Sequence, residues 1–124
     1  MKHVLVVEDD PAVAQMMDQI LTLEGYATTL ASDGRRAFEA LRTNRFDIVV
    51  LDVMLPGMDG IEIMKAIREE PLTADVPVVI VSAKTDEATT WAGWKAGCNY
   101  YMPKPFDPEE LLSILKQHER VPAP

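Results

Sequence analysis

Cysteine, clustered positive charge and long apolar runs are all scarce in this sequence of 124 residues. The single cysteine, Cys98, cannot form an internal disulfide bond, which favours a reducing compartment. No segment approaches the roughly 18 consecutive apolar residues of a membrane-spanning helix. Acidic residues follow the first apolar run, where a signal peptide would continue its apolar stretch. These features predict a cytoplasmic protein without membrane contact.

Positive charge is outnumbered, because 12 Lys and Arg residues face 20 Asp and Glu residues, for a net charge of −8. Binding to nucleic acid phosphates needs clustered Lys and Arg, so direct nucleic-acid binding by this chain is not expected. The acidity suits a bound cation or a basic partner, and it suits solubility alone equally well.

Short apolar runs rich in β-branched residues are present, and they alternate with segments of helical periodicity. Such runs are typical of parallel strands that are buried on both faces. The predicted strands are 2–8, 27–31, 46–52, 76–82 and 99–103. The predicted helices are 11–24, 34–43, 60–69, 87–97 and 107–119. This alternation predicts right-handed βαβ units and one three-layer α/β sandwich around a parallel sheet.

Polar side chains follow four of the five predicted strands. Glu8 and Asp9 follow the first strand, Asp52 the third, Ser82 the fourth and Lys104 the fifth. Because parallel strands end at one edge of the sheet, where α/β proteins bind ligands, we expect these side chains to converge. Taken singly, an Asp at a strand end is as often turn chemistry, and a lone Ser or Lys is an ordinary surface residue. The joint placement carries the prediction.

Three converging carboxylates need a cation between them, and Mg²⁺ prefers such oxygen ligands. An aspartate beside the ion can attack phosphorus and form an acyl phosphate, while a lysine neutralises the developing charge. Asp52 and Lys104 fit these two roles, and Ser82 can donate a hydrogen bond to a phosphate oxygen. Asp10, which precedes Pro11, is instead expected to cap the first helix.

Four stretches in this order and spacing resemble the receiver domain of two-component response regulators, whose single-domain chemotaxis members are the CheY-like proteins. They are Val4–Pro11, Asp47–Gly60, Val78–Ala83 and Gly97–Phe106. The resemblance covers nearly the whole chain. It implies a flavodoxin-like (βα)5 fold with strand order 2-1-3-4-5.

The resemblance also implies roles for individual residues. Asp52 matches the phosphate-accepting aspartate, Glu8 and Asp9 match the acidic pair that positions Mg²⁺, and the Met54 backbone carbonyl completes the metal ligands. Ser82 and Tyr101 match the switch residues, Lys104 the family's lysine, and Pro105 a proline that follows a cis peptide bond. Gly60 fits a tight entry into the third helix. The acidic pair here is Glu-Asp, not the commoner Asp-Asp, and the longer glutamate can reach the metal through water.

The implied function is a switch. A sensor histidine kinase or phosphotransfer protein donates a phosphoryl group to Asp52, Ser82 moves toward the phosphate and Tyr101 turns inward. The surface of the fourth helix, fifth strand and fifth helix then changes for a downstream protein, a fused output domain or a homodimer partner. Met54 and Lys84 are expected to flank the route of the hydrolytic water. Trp91 is expected in the core, and Trp94 beside Tyr101 on the output surface.

Two other functions compete with this interpretation. A phosphatase that uses Asp52 as its own nucleophile usually carries an aspartate two residues later as general acid, and Met54 stands there. An adaptor that is never phosphorylated would be expected to have lost part of the residue set. We therefore predict a phosphorylated switch, not an enzyme that turns over a substrate. Residues 1–119 form the predicted receiver domain, and 120–124 a tail or the start of a linker.

Overall fold

The structure is a computed structural model and describes residues 1–121. Three residues of the predicted tail, 122–124, lie outside the described residues. Seven strands are present: β1 (His3–Val7), β2 (Ala27–Ala31), β3 (Ile48–Leu51), β4 (Met54–Leu55), β5 (Met58–Asp59), β6 (Val78–Ser82) and β7 (Tyr100–Pro103). Five helices alternate with them: α1 (Pro11–Leu23), α2 (Gly34–Thr43), α3 (Gly60–Glu69), α4 (Glu87–Lys95) and α5 (Pro108–His118).

Five of the strands form one parallel sheet in the order β2-β1-β3-β6-β7. Since β6 and β7 are the fourth and fifth predicted strands, the predicted flavodoxin-like order is confirmed. The two-residue strands β4 and β5 pair antiparallel in a small hairpin that the sequence did not predict. This hairpin turns at Gly57, whose φ is +73°. It begins two residues after Asp52 and leads into α3.

Alternate residues of the central strands enter two separate cores, because successive side chains point to opposite faces of a sheet. Leu5, Val49 and Ile80 pack with α2 and α3 on one face. Val6 and Val50 pack with α1 and α5 on the other face. Both faces of the sheet are therefore covered by helices, as predicted for a three-layer sandwich.

Aspartates begin all five helices. The Asp10 carboxylate accepts hydrogen bonds from the backbone N–H groups of Ala12 and Val13, so the predicted cap is confirmed. The other caps are Asp33, Asp59, Asp86 and Asp107. Gly25 and Gly97, with φ of +94° and +103°, follow α1 and α4 and allow the left-handed turn that ends a helix.

The expectation that Trp91 lies in the core is wrong, because its exposed fraction is 68%. The small residues of α4 take the inner positions instead. Gly93 is buried, and Ala92 and Ala96 pack against the core on the α2–α3 face. With only small side chains beneath it, α4 lies close to the sheet and its tryptophans face outward.

Within residues 1–121, no helix is long and apolar enough to cross a membrane.

Candidate phosphoacceptor and metal site

Three carboxylates meet at the carboxyl ends of β1 and β3. Glu8, Asp9 and Asp52 each offer an oxygen, and these oxygens lie within 4.8 Å of one another. Glu8 and Asp52 are buried, whereas Asp9 is exposed. Three close carboxylates, one of them open to solvent, form a donor set that suits a hard divalent ion. The convergence predicted from the strand ends is present.

Lys104 reaches this cluster from the loop after β7. Its Nζ donates hydrogen bonds to Glu8 Oε1 and to Asp52 Oδ2, the latter at 2.9 Å. Burial raises the pKa of Glu8 above its usual value, even though its hydrogen bonds to Lys104 and Asp10 act in the opposite direction. Burial alone would lower the pKa of Lys104, but the two carboxylates together raise it. Lys104 is therefore a cation held directly beside an Asp52 carboxylate oxygen.

Backbone groups orient both buried carboxylates. The Met54 N–H donates to Asp52 Oδ1 at 2.9 Å, and the Asp10 N–H donates to Glu8 Oε2 at 3.2 Å. The contact from Asp10 is a role that the sequence did not reveal, since Asp10 was predicted only as a cap. The Lys104–Pro105 peptide bond is cis, as the resemblance implied.

Gly60 lets the start of α3 approach the backbone of Asp52 and Val53. A Cβ at this position would lie 2.2 Å from Val53 Cα and 2.7 Å from the Asp52 carbonyl oxygen. No side chain fits there without moving the backbone. The tight entry into the third helix predicted for Gly60 is therefore a direct contact with the acceptor segment.

Ser82 and Tyr101 are linked through the loop after β6. Ser82 is fully buried at the end of β6, and its Oγ accepts a hydrogen bond of 3.1 Å from the Lys84 N–H. The Tyr101 hydroxyl donates to the Lys84 carbonyl oxygen. Tyr101 is 9% exposed, so its ring occupies the inward position, and burial raises the pKa of its hydroxyl.

Trp94 lies on the face formed by α4, β7 and α5, with an exposed fraction of 43%. Its ring contact is with Tyr100, edge to face, with centroids 6.1 Å apart. Tyr100 in turn lies 6.0 Å from the His118 ring of α5. Trp94 was predicted beside Tyr101; the recorded ring neighbour is Tyr100, because the side chains of adjacent residues of β7 enter opposite faces of the sheet.

A cleft of about 620 Å³ opens beside the acceptor, between the β4–β5 hairpin and α4. Met54 and Lys84 line it, together with Asp59, Thr89 and Ala92. Met54 is 54% exposed there. The two residues expected to flank a water route thus line the same open cleft next to Asp52.

The model of one protein family, described as the response regulator receiver domain, matches residues 4–116. Among curated proteins, the DNA-binding response regulator MtrA of Mycolicibacterium smegmatis is 40% identical over 119 residues, which are 96% of this chain and 51% of that protein. The chain thus spans about half the length of the curated relatives it matches.

Solved structures show the same fold. The chemotaxis protein CheY4 of Vibrio cholerae has a TM-score of 0.90 and 33% identity, with 95% of this chain and 98% of that chain covered. The receiver domain of the sensor histidine kinase PA1611 of Pseudomonas aeruginosa, described with a magnesium ion coordinated in its active-site cleft, has a TM-score of 0.87 and 31% identity. There, 94% of this chain and 96% of that chain are covered.

Proposed function

The chain belongs to the response regulator receiver domain family, a class of signalling switches, and we propose from this premise that Asp52 is its phosphoryl acceptor. The donor is the phosphohistidine of a sensor histidine kinase or of a phosphotransfer protein. The reaction depends on Mg²⁺ and produces an aspartyl phosphate at Asp52. Phosphorylation then changes the surface formed by α4, β7 and α5.

One observation carries this proposal. Glu8, Asp9 and Asp52 place carboxylate oxygens within 4.8 Å of one another, and the Lys104 ammonium contacts Asp52 directly. A carboxylate used only as a turn residue needs neither a cluster of acids nor a buried cation beside it. A carboxylate that attacks a phosphoryl group is helped by a metal ion, which the acidic cluster can hold, and by a lysine ammonium. Both neutralise negative charge on the transferring group.

The residues of the site have three different roles in the proposed reaction. Glu8, Asp9, Asp52 and the Met54 carbonyl would hold Mg²⁺, which when bound supplies positive charge for the phosphoryl oxygens. One Asp52 oxygen attacks phosphorus as the phosphorus–nitrogen bond of phosphohistidine breaks, and the donor imidazole leaves with the electron pair. Lys104 stays with Asp52 and neutralises charge on the transferring group.

The switch begins at Ser82. Its hydroxyl turns from the Lys84 N–H toward a phosphate oxygen and draws the loop after β6 with it. Tyr101 is hydrogen-bonded to the carbonyl of Lys84 in this loop, so the positions of the ring and of the loop are coupled, and we propose that the phosphorylated state combines the inward ring with the displaced loop. The state with both features then presents an altered α4–β7–α5 surface, on which Trp94 is a candidate partner anchor.

The output is proposed from the relatives. A protein named as a DNA-binding response regulator suggests that this receiver controls a fused DNA-binding portion or a separate downstream protein. Nucleic-acid contact would belong to that portion, since this chain has a net charge of −8. A homodimer through the α4–β7–α5 surface is one form that the output can take. Residues 1–119 act as the receiver, in the cytoplasm, and catalyse only their own phosphorylation and dephosphorylation.

Incubation with acetyl phosphate, with and without Mg²⁺, tests the acceptor by intact mass. We expect one added phosphoryl group with Mg²⁺, none in EDTA and none in Asp52→Asn. Asp59→Asn is the matched control, because Asp59 caps α3 beside the site without joining the acidic cluster. Labelling of Asp52→Asn at the wild-type rate would contradict the assignment, and so would equal labelling in EDTA.

A further inference from the structure

Gly93 is the buried residue of α4, a helix that otherwise exposes large side chains. Glycine inside a helix lowers its stability by about 1 kcal/mol relative to alanine. The presence of glycine at position 93 therefore calls for a structural reason. Its φ is not in the left-handed region, since the positive-φ glycines are Gly25, Gly57 and Gly97. Backbone conformation therefore does not require glycine at this position. The requirement is steric, because neighbouring side chains leave no room for a Cβ atom.

The space is taken by the ring of Tyr101. A Cβ at position 93 would lie 2.9 Å from Tyr101 Cδ2 and 3.0 Å from Cε2, and 3.1 Å from Ile80 Cδ1. The contacts to the ring are closer than real Cβ atoms normally make. An aromatic ring fixed by its own hydrogen bond cannot yield as a flexible chain end can, whereas the Ile80 methyl group can turn away.

We propose that Gly93 is a positioning residue of the switch, because its missing side chain leaves the room that the inward Tyr101 ring occupies. Any side chain at this position disfavours the inward ring and favours the outward one. The effect on phosphorylation rests on the proposed function, in which inward Tyr101 and phosphorylated Asp52 favour each other. By linkage, a residue that opposes the inward ring also opposes phosphorylation.

A purely structural role would look different. If Gly93 served only to bring α4 close to β6 at Ile80, an alanine there would disturb the helix whether or not Tyr101 carried a ring. If Gly93 acts through Tyr101, the disturbance disappears when the ring is removed. A double-mutant cycle between positions 93 and 101 separates the two roles.

The first measurement needs no phosphate. The chain has three tyrosines, and 3-fluorotyrosine labelling gives each a ¹⁹F resonance, with Tyr101 assigned by Tyr101→Phe. Gly93→Ala is expected to move the Tyr101 resonance toward that of a solvent-exposed tyrosine. Lys95→Ala, an exposed substitution in the same helix, is expected to leave it in place. An unchanged Tyr101 resonance in Gly93→Ala overturns the proposal.

The second measurement is the rate of phosphorylation by acetyl phosphate. Gly93→Ala is expected to slow it by roughly tenfold, the size expected for one methyl group forced into a packed site. In the Tyr101→Ala background the same substitution is expected to change the rate by less than about twofold. Equal slowing in both backgrounds overturns the proposal. If wild type is not phosphorylated at all, the proposed function fails, while the ¹⁹F result still decides the role of Gly93.

Folding provides a further test if Gly93→Ala alone is too unstable to measure. The variant that combines Gly93→Ala with Tyr101→Ala is then expected to fold, because the clashing ring is gone. If the double variant remains unfolded, the obstacle is the packing of α4 on β6, and the proposal is wrong.

Discussion

Lys104 contacts two carboxylates that come from different strands, Glu8 after β1 and Asp52 after β3. Both carboxylates are buried, and only Asp9 of the acidic cluster faces solvent. Single residues of this site therefore differ in what their removal changes. Loss of a buried member disturbs the arrangement of the others, whereas loss of Asp9 removes one negative charge at the open side.

Asp9→Asn is for this reason the cleanest test of Mg²⁺ binding. A ligand that binds only the folded state stabilises it, by about 1.4 kcal/mol at ten times its dissociation constant. We expect Mg²⁺ to raise the wild-type unfolding midpoint in a concentration-dependent way, and EDTA to abolish the rise. Asp9→Asn is expected to need far more Mg²⁺ for the same rise, whereas Asp10→Asn, which keeps an oxygen that caps α1, is expected to change neither the stability nor the Mg²⁺ dependence by much. Equal Mg²⁺ responses in wild type and Asp9→Asn would refute the ion site.

Met54→Ala is expected to shorten the lifetime of the acyl phosphate while leaving Asp52 as the modified residue. The side chain is exposed in the cleft next to Asp52, and its removal admits water. The Met54 N–H that orients Asp52 is retained by alanine. Lys84→Ala removes the other wall and is expected to alter the half-life as well. The decay of the phosphorylated mass at fixed pH measures both, and half-lives equal to wild type in both variants would exclude the proposed water route.

Cys98 gives a prediction of pH dependence. Burial raises its pKa from 9.0 to about 11, although the charge of Arg68 acts in the opposite direction. The neutral thiol is therefore favoured in the folded state, so its contribution to stability is complete below pH 9 and is lost as the pH rises toward 11. The difference in unfolding free energy between wild type and Cys98→Ala is expected to fall by about 1–2 kcal/mol over this interval. A difference that stays constant with pH would contradict it.

At the scale of elements, the periodicity of the sequence predicted every helix and all five strands of the main sheet. Asp caps and terminal glycines are local signals, so the helix bounds are correct to within two residues. The β4–β5 hairpin was missed because two-residue strands carry no periodicity. The outward position of Trp91 was missed, whereas that of Trp94 was predicted, because the buried side of α4 is made of glycine and alanine, which leave no apolar stripe in the sequence. The convergence of the acidic residues was predictable, since strand order alone decides it.

Arg68 joins three segments at the end of α3, and no sequence pattern indicated it. Its guanidinium donates to the carbonyl oxygens of Gly97, Ala74 and Val76, and to Asn99 Oδ1. The Gly97 oxygen alone receives two of these bonds, at 2.9 and 3.0 Å. This side chain therefore ties the loop before β6 to the turn between α4 and β7.

Arg68→Ala is expected to lower the unfolding free energy by about 2–3 kcal/mol, because several carbonyl groups lose their donor. Arg68→Lys is expected to recover only part of this loss, since an ammonium cannot reproduce the planar fork of donors. Arg42→Ala, an exposed residue near the end of α2, serves as the control and is expected to change stability by less than about 0.5 kcal/mol. Urea unfolding measures all three variants. If Arg68→Ala and Arg42→Ala lower the unfolding free energy equally, the hydrogen bonds of Arg68 do not stabilise the contact between the loop before β6 and the α4–β7 turn.

For the whole molecule, the segment after α5 decides where the folded unit ends. The boundary predicted from the sequence was residue 119, but Arg120 is held by the rest of the domain. Its N–H donates to the Asp47 carbonyl oxygen and its Nε to the Phe46 carbonyl oxygen, both at 3.0 Å. Its guanidinium also lies 3.3 Å from an Asp75 carboxylate oxygen. Arg120, which follows the proposed receiver domain directly, therefore contacts the rest of the fold through both its backbone and its side chain.

The direction in which the chain leaves the domain follows from this anchor. Lys2 Nζ donates to the carbonyl oxygen of Arg120, so the exit of α5 is fixed beside the start of β1, at the end of the sheet opposite the acceptor. The end of α5 is thus hydrogen-bonded to the residues that lead into β1 and β3, at the opposite end of the sheet from Glu8, Asp9 and Asp52.

Arg120→Ala is expected to lower the unfolding free energy by about 1–2 kcal/mol, because the Phe46 carbonyl and the Asp75 carboxylate lose their donor. The Arg120 N–H is kept, so the backbone bond to Asp47 remains. Arg35→Ala removes an arginine whose ion pair with Glu39, at 3.5 Å, is exposed, and is expected to lower the unfolding free energy by less than about 0.5 kcal/mol. Hydrogen exchange adds a local measurement: the Arg120 amide, which donates to the Asp47 carbonyl oxygen, is expected to exchange faster in Arg120→Ala because the end of α5 opens more often without the side-chain contacts, while the amides of α3 are unchanged. Equal stability of the two variants, with unchanged exchange at the end of α5, would place the end of the folded unit at residue 119 after all.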